Sequence, residues 1–312
     1  MTKVITVGEI LVEIMAKEVG QGFLKPGEFF GPYPSGAPAI FIDQVARMGV
    51  GCGIIARVGK DDFGVLNIER LKNDGVDTSY ILETPGYTTG TAFVTYFPDG
   101  GRKFIFHFAH AAAGALCPDD IDEDYIGSAE YLHIMGCSLS ASENMRQAIL
   151  KSVRTAKDKG IKISFDPNIR PELLNVESIR KVFDSILDCV DILLAGEGEA
   201  LMLTGCDCLE DAISVFRSKG ISIVVVKNGS KGAKVFSDEG LIEASPFKVE
   251  EVDPTGAGDC FDGAFIASLA EGASLKDAAL AANAAGALGV TKKGPMEGAS
   301  LKKDILLLIS EG

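Results

Sequence analysis

From residue 130 onward the chain keeps one rhythm: a short apolar, β-rich run, a polar or glycine-rich step, then a stretch of helical spacing. Tyr131–Met135, Lys162–Phe165, Ile192–Leu194 and Ile221–Lys227 are the strand candidates, and Ser142–Lys159, Glu177–Leu187 and Leu209–Ser218 are the helices between them. Strands separated by whole helices pair in parallel, and a parallel sheet needs helices on both faces to bury it. The expected fold is therefore α/β, three layers in the order α/β/α around a mostly parallel central sheet. In such sheets ligands sit outside the carboxyl ends of the strands. The segments that follow those ends are Gly8-Glu9, Gly136, Asp166-Pro167-Asn168-Ile169-Arg170, Gly196-Glu197-Gly198-Glu199 and Asn228-Gly229-Ser230-Lys231-Gly232, and they should share one rim.

The first third reads differently. Val4–Val7 is an opening strand, Ala39–Met48 a helix stopped by Gly49, and Ile54–Val58 a strand again. Thr88–Tyr96 and Arg102–His110 are β-rich runs joined by Pro98-Asp99-Gly100-Gly101, a hairpin turn. With the segment from about residue 10 to 35, this hairpin predicts a small separate sheet, a β lid built from about 10–35 and 88–112, on a single domain spanning 1–312. Gly51-Cys52-Gly53-Ile54-Ile55-Ala56 matches G-x-G-x-x-A, but it follows a helix and opens a strand, the reverse of what a dinucleotide site requires.

Thirty basic against 44 acidic residues leave a net charge of −14, which repels nucleic acid and anionic membranes. A polyanionic ligand must then be gripped locally. Seven cysteines, scattered except for Cys206 and Cys208, read as separate thiols rather than a disulfide framework. The N-terminus has no signal-peptide organisation and no apolar run reaches the length of a membrane span, so a cytoplasmic protein is expected.

Residues 253–259 read Asp-Pro-Thr-Gly-Ala-Gly-Asp, ahead of a helix expected over Cys260–Glu271. Helix N-termini carry unpaired N–H groups and partial positive charge, so Gly256, Ala257 and Gly258 can hold an anion with Asp259 as a base beside it. The plainer reading, turn glycines with Asp259 as a helix cap, stands level with it. Glu199 either holds Mg2+ through water or simply favours a helix dipole. Arg170, past the same strand end as Asp166 and Asn168, either meets a sugar oxygen or a phosphoryl group or makes a surface salt bridge. The three histidines, His107, His110 and His133, lack metal-ligand spacing.

Together, Gly8-Glu9, Ser35-Gly36-Ala37-Pro38-Ala39, Val58–Gly64, Asp166–Arg170, Lys227–Gly232 and Asp253–Asp259 resemble the ribokinase (PfkB) family of carbohydrate kinases, nearly end to end. The resemblance implies a ribokinase-like fold, Mg2+-ATP as phosphoryl donor, Asp259 as catalytic base, and Gly256, Ala257 and Gly258 as anion hole. It places Asn168, Glu199, Lys227, Gly229, Gly232 and Asn283 on the nucleotide side, with Mg2+ reached from Glu199 through water. It gives Asp253 a monovalent cation such as K+. Sugar contacts are expected from Glu13, Ser35, Gly36, Ala37, Arg102, Asp166, Arg170 and Asp259. Members often pair through such lid sheets, so a homodimer through the lid is an expectation too.

The chain departs from the family at Ile40 and Gly196, where members carry Asn, and at Glu13, where many carry Asp. In kinases of 2-keto-3-deoxygluconate a lid arginine clamps the sugar carboxylate; Phe108 stands in its place here. A hydrogen bond to a charged group is worth about 1.5–3 kcal/mol, so its loss disfavours an acid sugar. The expected function is an ATP-dependent sugar kinase acting on a primary hydroxyl, O6, of a neutral ketohexose such as fructose or tagatose. A 2-keto-3-deoxygluconate kinase is the alternative, and a non-catalytic sugar-binding sensor on a kinase fold is the alternative of another class.

Overall fold

The computed structural model describes residues 2–99, 101–169 and 177–311. Its central sheet joins β1 (Val4–Val7), β4 (Cys52–Gly59), β5 (Ile81–Thr84), β8 (Tyr131–Met135), β9 (Lys162–Asp166), β10 (Ile192–Gly196), β11 (Ile223–Lys227), β12 (Ala233–Ser237) and β13 (Gly240–Ala244). The strand order is β13-β12-β11-β10-β9-β8-β1-β4-β5. Pairing is parallel from β5 to β11, and only the hairpin edge β12-β13 runs antiparallel.

Side chains alternate across this sheet, as a strand buried on both faces requires. Ile192 and Leu194 join one core and Leu193 and Ala195 the other. On the first face lie α1 (Ala37–Arg47), α2 (Asp62–Asp74) and three later helices, α8 (Ala257–Ala270), α9 (Leu275–Gly289) and α10 (Lys302–Glu311). On the second lie α3 (Glu123–Gly127), α4 (Glu143–Asp158), α5 (Glu177–Leu187), α6 (Glu197–Thr204) and α7 (Leu209–Ser218). The Ala-rich composition of α8 and α9 lets them pack closely along one another. The three-layer expectation therefore holds, and the G-x-G-x-x-A match falls at the start of β4, inside a strand.

A second sheet of four strands has the order β3-β2-β6-β7, from β2 (Leu11–Ala16), β3 (Phe29–Ser35), β6 (Gly90–Tyr96) and β7 (Arg102–His107). These are the segments expected to make the lid. Along β7, Arg102, Phe104 and Phe106 turn one way, so alternation aims one cation and two aromatic rings at the same cavity. Among the described residues no helix is long and apolar enough to cross a membrane.

Candidate active site

The loop before α8 reaches its place through backbone geometry. Gly256 is the N-cap, with φ +80°, and the helical ladder begins with Cys260 N–H donating to the Gly256 carbonyl at 2.9 Å. The helix thus starts at Ala257, earlier than its side-chain periodicity suggested, and Ala257, Gly258 and Asp259 form its first turn. This sharpens the anion-site reading, because first-turn N–H groups have no carbonyl of their own helix to bond. Asp259 is the third helical residue rather than the N-cap, and it is 8 % exposed. Asn168, itself at φ +38°, donates from Nδ2 to Asp259 Oδ1 at 3.4 Å.

Two cavities meet at this turn. One, of about 490 Å³, is lined by Glu9, Glu13, Ser35, Gly36, Ala37 and Ile40, by Phe104, Phe106 and Phe108 from the lid side, and by Asp166, Asn168, Glu199, Gly256, Gly258 and Asp259. The other, of about 610 Å³, is lined by Gly229, Gly232, Phe247, Phe261, Asn283, Gly286 and Val290. Lys227, Pro254 and Gly258 border both. A more polar compartment and a more apolar one thus meet at the first turn of α8.

In the first compartment Glu9 and Glu13 are each 4 % exposed. Ser138 and Cys137 donate to Glu9, and Ser35 donates to Glu13 Oε2 at 3.2 Å. Gly36 must be glycine: its φ is +112°, and a Cβ there would lie 2.5 Å from the Glu9 carbonyl oxygen. Arg102 lines the same cavity, but its guanidinium donates to Thr255 Oγ1 at 3.1 Å and lies over the Phe104 ring. The lid is thereby tied to the loop that leads into α8.

Asp253 acts as a clamp in that loop. Its Oδ1 accepts from the Thr255 N–H and hydroxyl at 3.1 and 2.8 Å, and its Oδ2 accepts from the Gly294 N–H at 3.0 Å. Glu199 accepts from Ile169 N–H at 2.7 Å and from Gly196 N–H at 2.8 Å, tying the segment after β9 to the start of α6. Burial, helped by Asp166, pushes its carboxyl above the usual range. Among the described residues no group of three or more His, Cys, Asp or Glu is arranged to hold a metal. Glu199 lines the same cavity as Asp259.

In the second compartment Gly229 and Gly232 have φ of +53° and +88°, and Asn228 N–H donates to the Gly232 carbonyl at 2.9 Å. Asn283 spends both amide hydrogens on the Ala244 and Ser245 carbonyls, which fixes the wall beside it. Phe261 and the small residues Gly286 and Ala287 leave an apolar slot of the kind a flat base enters. The first-turn N–H groups and this slot together fit a nucleotide with its phosphates at α8.

Of the residues expected on the nucleotide side, Asn168 and Glu199 line the first cavity, Gly229, Gly232 and Asn283 the second, and Lys227 borders both. Arg170 lies outside the described residues. Phe104, Phe106 and Asp262 were not singled out in the sequence, and Glu9 was named there only within Gly8-Glu9, with no contact assigned to it. Period-two alternation could have found the phenylalanines, and a carboxylate inside the otherwise apolar α8 should have flagged Asp262.

Residues 1–302 match the model of the pfkB family carbohydrate kinases. A 2-dehydro-3-deoxygluconokinase of Thermoproteus tenax is 34 % identical over 95 % of this chain and 91 % of its own. A probable fructokinase-4 of Arabidopsis thaliana is 33 % identical over 98 % of this chain and 96 % of its own. A crystal structure from E. coli in complex with ATP and Mg2+ superposes with a TM-score of 0.95 at 48 % identity, covering 100 % of both chains. The chain belongs to the PfkB family, and it is an ATP-dependent sugar kinase.

Proposed function

We propose that this PfkB-family kinase phosphorylates the primary hydroxyl, O6, of a neutral ketohexose of the fructose or tagatose kind. One observation carries the choice of sugar: the buried carboxylates Glu9 and Glu13 line the same cavity as Asp259, while the lid arginine, Arg102, is turned to Thr255. Carboxylates accept hydrogen bonds from neutral hydroxyls and repel an acid.

When bound, Mg2+-ATP supplies the γ-phosphoryl group and the metal offsets its charge. Asp259 takes the proton of the sugar hydroxyl as that oxygen bonds to phosphorus and the bond to ADP breaks. The first-turn N–H groups of α8 face the negative charge that spreads over the transferring group. Phe104, Phe106 and Phe108 cover the sugar and keep out the water that would otherwise take the phosphoryl group.

The second reading, a kinase of 2-keto-3-deoxygluconate, is favoured by the Thermoproteus relative. A coupled ADP-release assay across fructose, tagatose and 2-keto-3-deoxygluconate separates the two. A higher kcat/KM for the keto-acid sugar than for either neutral ketohexose would overturn the proposal. Asp253 is also proposed to serve a monovalent cation beside its clamp, so KCl should raise kcat over equimolar choline chloride; equal rates would remove that part.

A further inference from the structure

Between the two cavities lies a charged cluster that the reaction scheme above does not use. Lys227 is the last residue of β11, and its Nζ lies 3.0 Å from Asp166 Oδ2 and 3.1 and 2.9 Å from the two oxygens of Asp262. Asp166 ends β9, and Asp262 follows Asp259 by three positions on α8. One ammonium therefore ties two strand ends to the helix turn that carries the base. The same-face neighbour of Lys227 on β10 is Gly196, which has no side chain, so the lysine stem meets no bulk there.

A purely structural role accounts poorly for this arrangement. Buried ion pairs are seldom more stable than the apolar residues that could replace them. The three side chains are also unequally covered: Asp262 is 0 % and Asp166 3 % exposed, whereas Lys227 keeps 16 % of its side chain open. The open part faces ligand space, since Lys227 borders both cavities and a Cβ built on Gly258 would lie 3.7 Å from its Nζ. Among the described residues it is the one cationic side chain lining both. Burial works against its charge, but Asp166, Asp262 and Glu199 outweigh that and push the ammonium well up, which favours the charged form.

Resting on the kinase reading, we infer that Lys227 is a cationic contact for the phosphoryl group in transit between the cavities, and that Asp262 is the positioning residue that aims it. A protein of net charge −14, with Glu9, Glu13, Asp166, Glu199 and Asp259 around the cavity, needs a fixed positive charge where the transferring group spreads its own. Bidentate contact with Asp262 holds the ammonium on the base-bearing helix, so base and cation move together.

The test compares Lys227→Met, Lys227→Arg and Asp262→Asn with the unaltered protein. Steady-state kinetics are paired with calorimetric binding of MgADP, alone and with aluminium fluoride and sugar, the fluoride standing in for the phosphoryl group in transit. Lys227→Met is expected to lose about 10²-fold in kcat and a similar factor in affinity for the fluoride complex, with MgADP affinity and sugar KM within about three-fold. Lys227→Arg should recover at least about ten-fold of that loss, because the charge returns on a different fork. Asp262→Asn keeps the lysine and loosens its aim, so about a ten-fold loss in both readouts is expected.

Folded Lys227→Met with kcat and fluoride-complex affinity within about three-fold of the unaltered protein overturns the inference. Should Lys227→Met fail to fold, the same unchanged values in Asp262→Asn overturn it. Turnover by the unaltered protein keeps this separate from the kinase reading, which fails only if no sugar is phosphorylated and MgATP does not bind.

Discussion

Replacing Gly256 by alanine tests how tightly the anion site is built. Gly256 sits at φ +80°, where a residue with a Cβ costs about 1–2 kcal/mol. The added Cβ would also lie 2.2 Å from the Pro295 carbonyl oxygen and 3.2 Å from its carbon, both backbone atoms that cannot swing aside. Relief to ordinary contact moves the first turn of α8 by about 1 Å, a displacement that can cost roughly 10²-fold when it misplaces reacting groups. Gly258→Ala is the internal control: its Cβ would meet only Lys227 Nζ, at 3.7 Å, with no positive φ to oppose it. Expected for Gly256→Ala is a kcat reduced about 10²-fold and a Tm lowered by several degrees, at about 2–4 °C per kcal/mol. For Gly258→Ala the Tm should hold to within about 2 °C. Coupled ADP-release kinetics and thermal melts read both variants. A Gly256→Ala protein with kcat within two-fold of the parent, or a Gly258→Ala protein equally unstable, would refute the reasoning.

Asp259→Asn should keep its fold and lose about 10²–10⁴ in turnover; near-normal turnover in the purified variant means the base is elsewhere. Asp43 tests pH dependence. Burial pushes its carboxyl up to about 8 despite Arg70 at 3.0 Å. A carboxyl raised in the folded state stabilises it below the ordinary value near 3.8, and that contribution is lost as pH rises through about 8. Melts between pH 5 and about 8.5 should show stability falling by at most about 1.4 kcal/mol per pH unit, and Asp43→Asn should flatten the slope. Equal slopes in the two proteins would rule Asp43 out as its source. Finally, Phe29, Phe30 and Ile105 leave the lid 39, 37 and 38 % exposed, and two copies are expected to pair there. Light scattering giving the mass of one chain at all working concentrations would remove that expectation.

The parallel sheet was legible because β8 to β11 are buried on both faces and so read as short, largely apolar runs, broken within the buried part by His133 in β8 and Ser164 in β9. The edges were not. β5 buries only its terminal residues, and β12 and β13 form a short half-exposed hairpin. Little burial leaves little pattern. At the site, Gly256 to Asp259 could be recognised because backbone geometry demands small residues at fixed spacing. Their start within α8 could not, since Ala257 and Gly258 carry no apolar periodicity.

The contacts of Glu9, and Asp262 and the lid phenylalanines altogether, escaped for a different reason: each owes its role to a partner distant in the chain. Glu9 depends on Ser138 and Cys137, and Asp262 on Lys227. Such partners are joined only by the crossover topology, which brings β9 and β11 alongside α8. The same division separates reaction from substrate. The phosphoryl-transfer reading starts from one contiguous loop, Gly256 to Asp259, in which main-chain N–H groups and one carboxylate stand together. The proposed sugar contacts are spread over β2, α1 and β7, which supply Glu13, Ile40 and Phe104 to the cavity as single side chains. Exchanges confined to those three elements should therefore move kcat/KM between sugars while leaving MgADP affinity unchanged. Parallel losses in both would mean that the compartments are not separable.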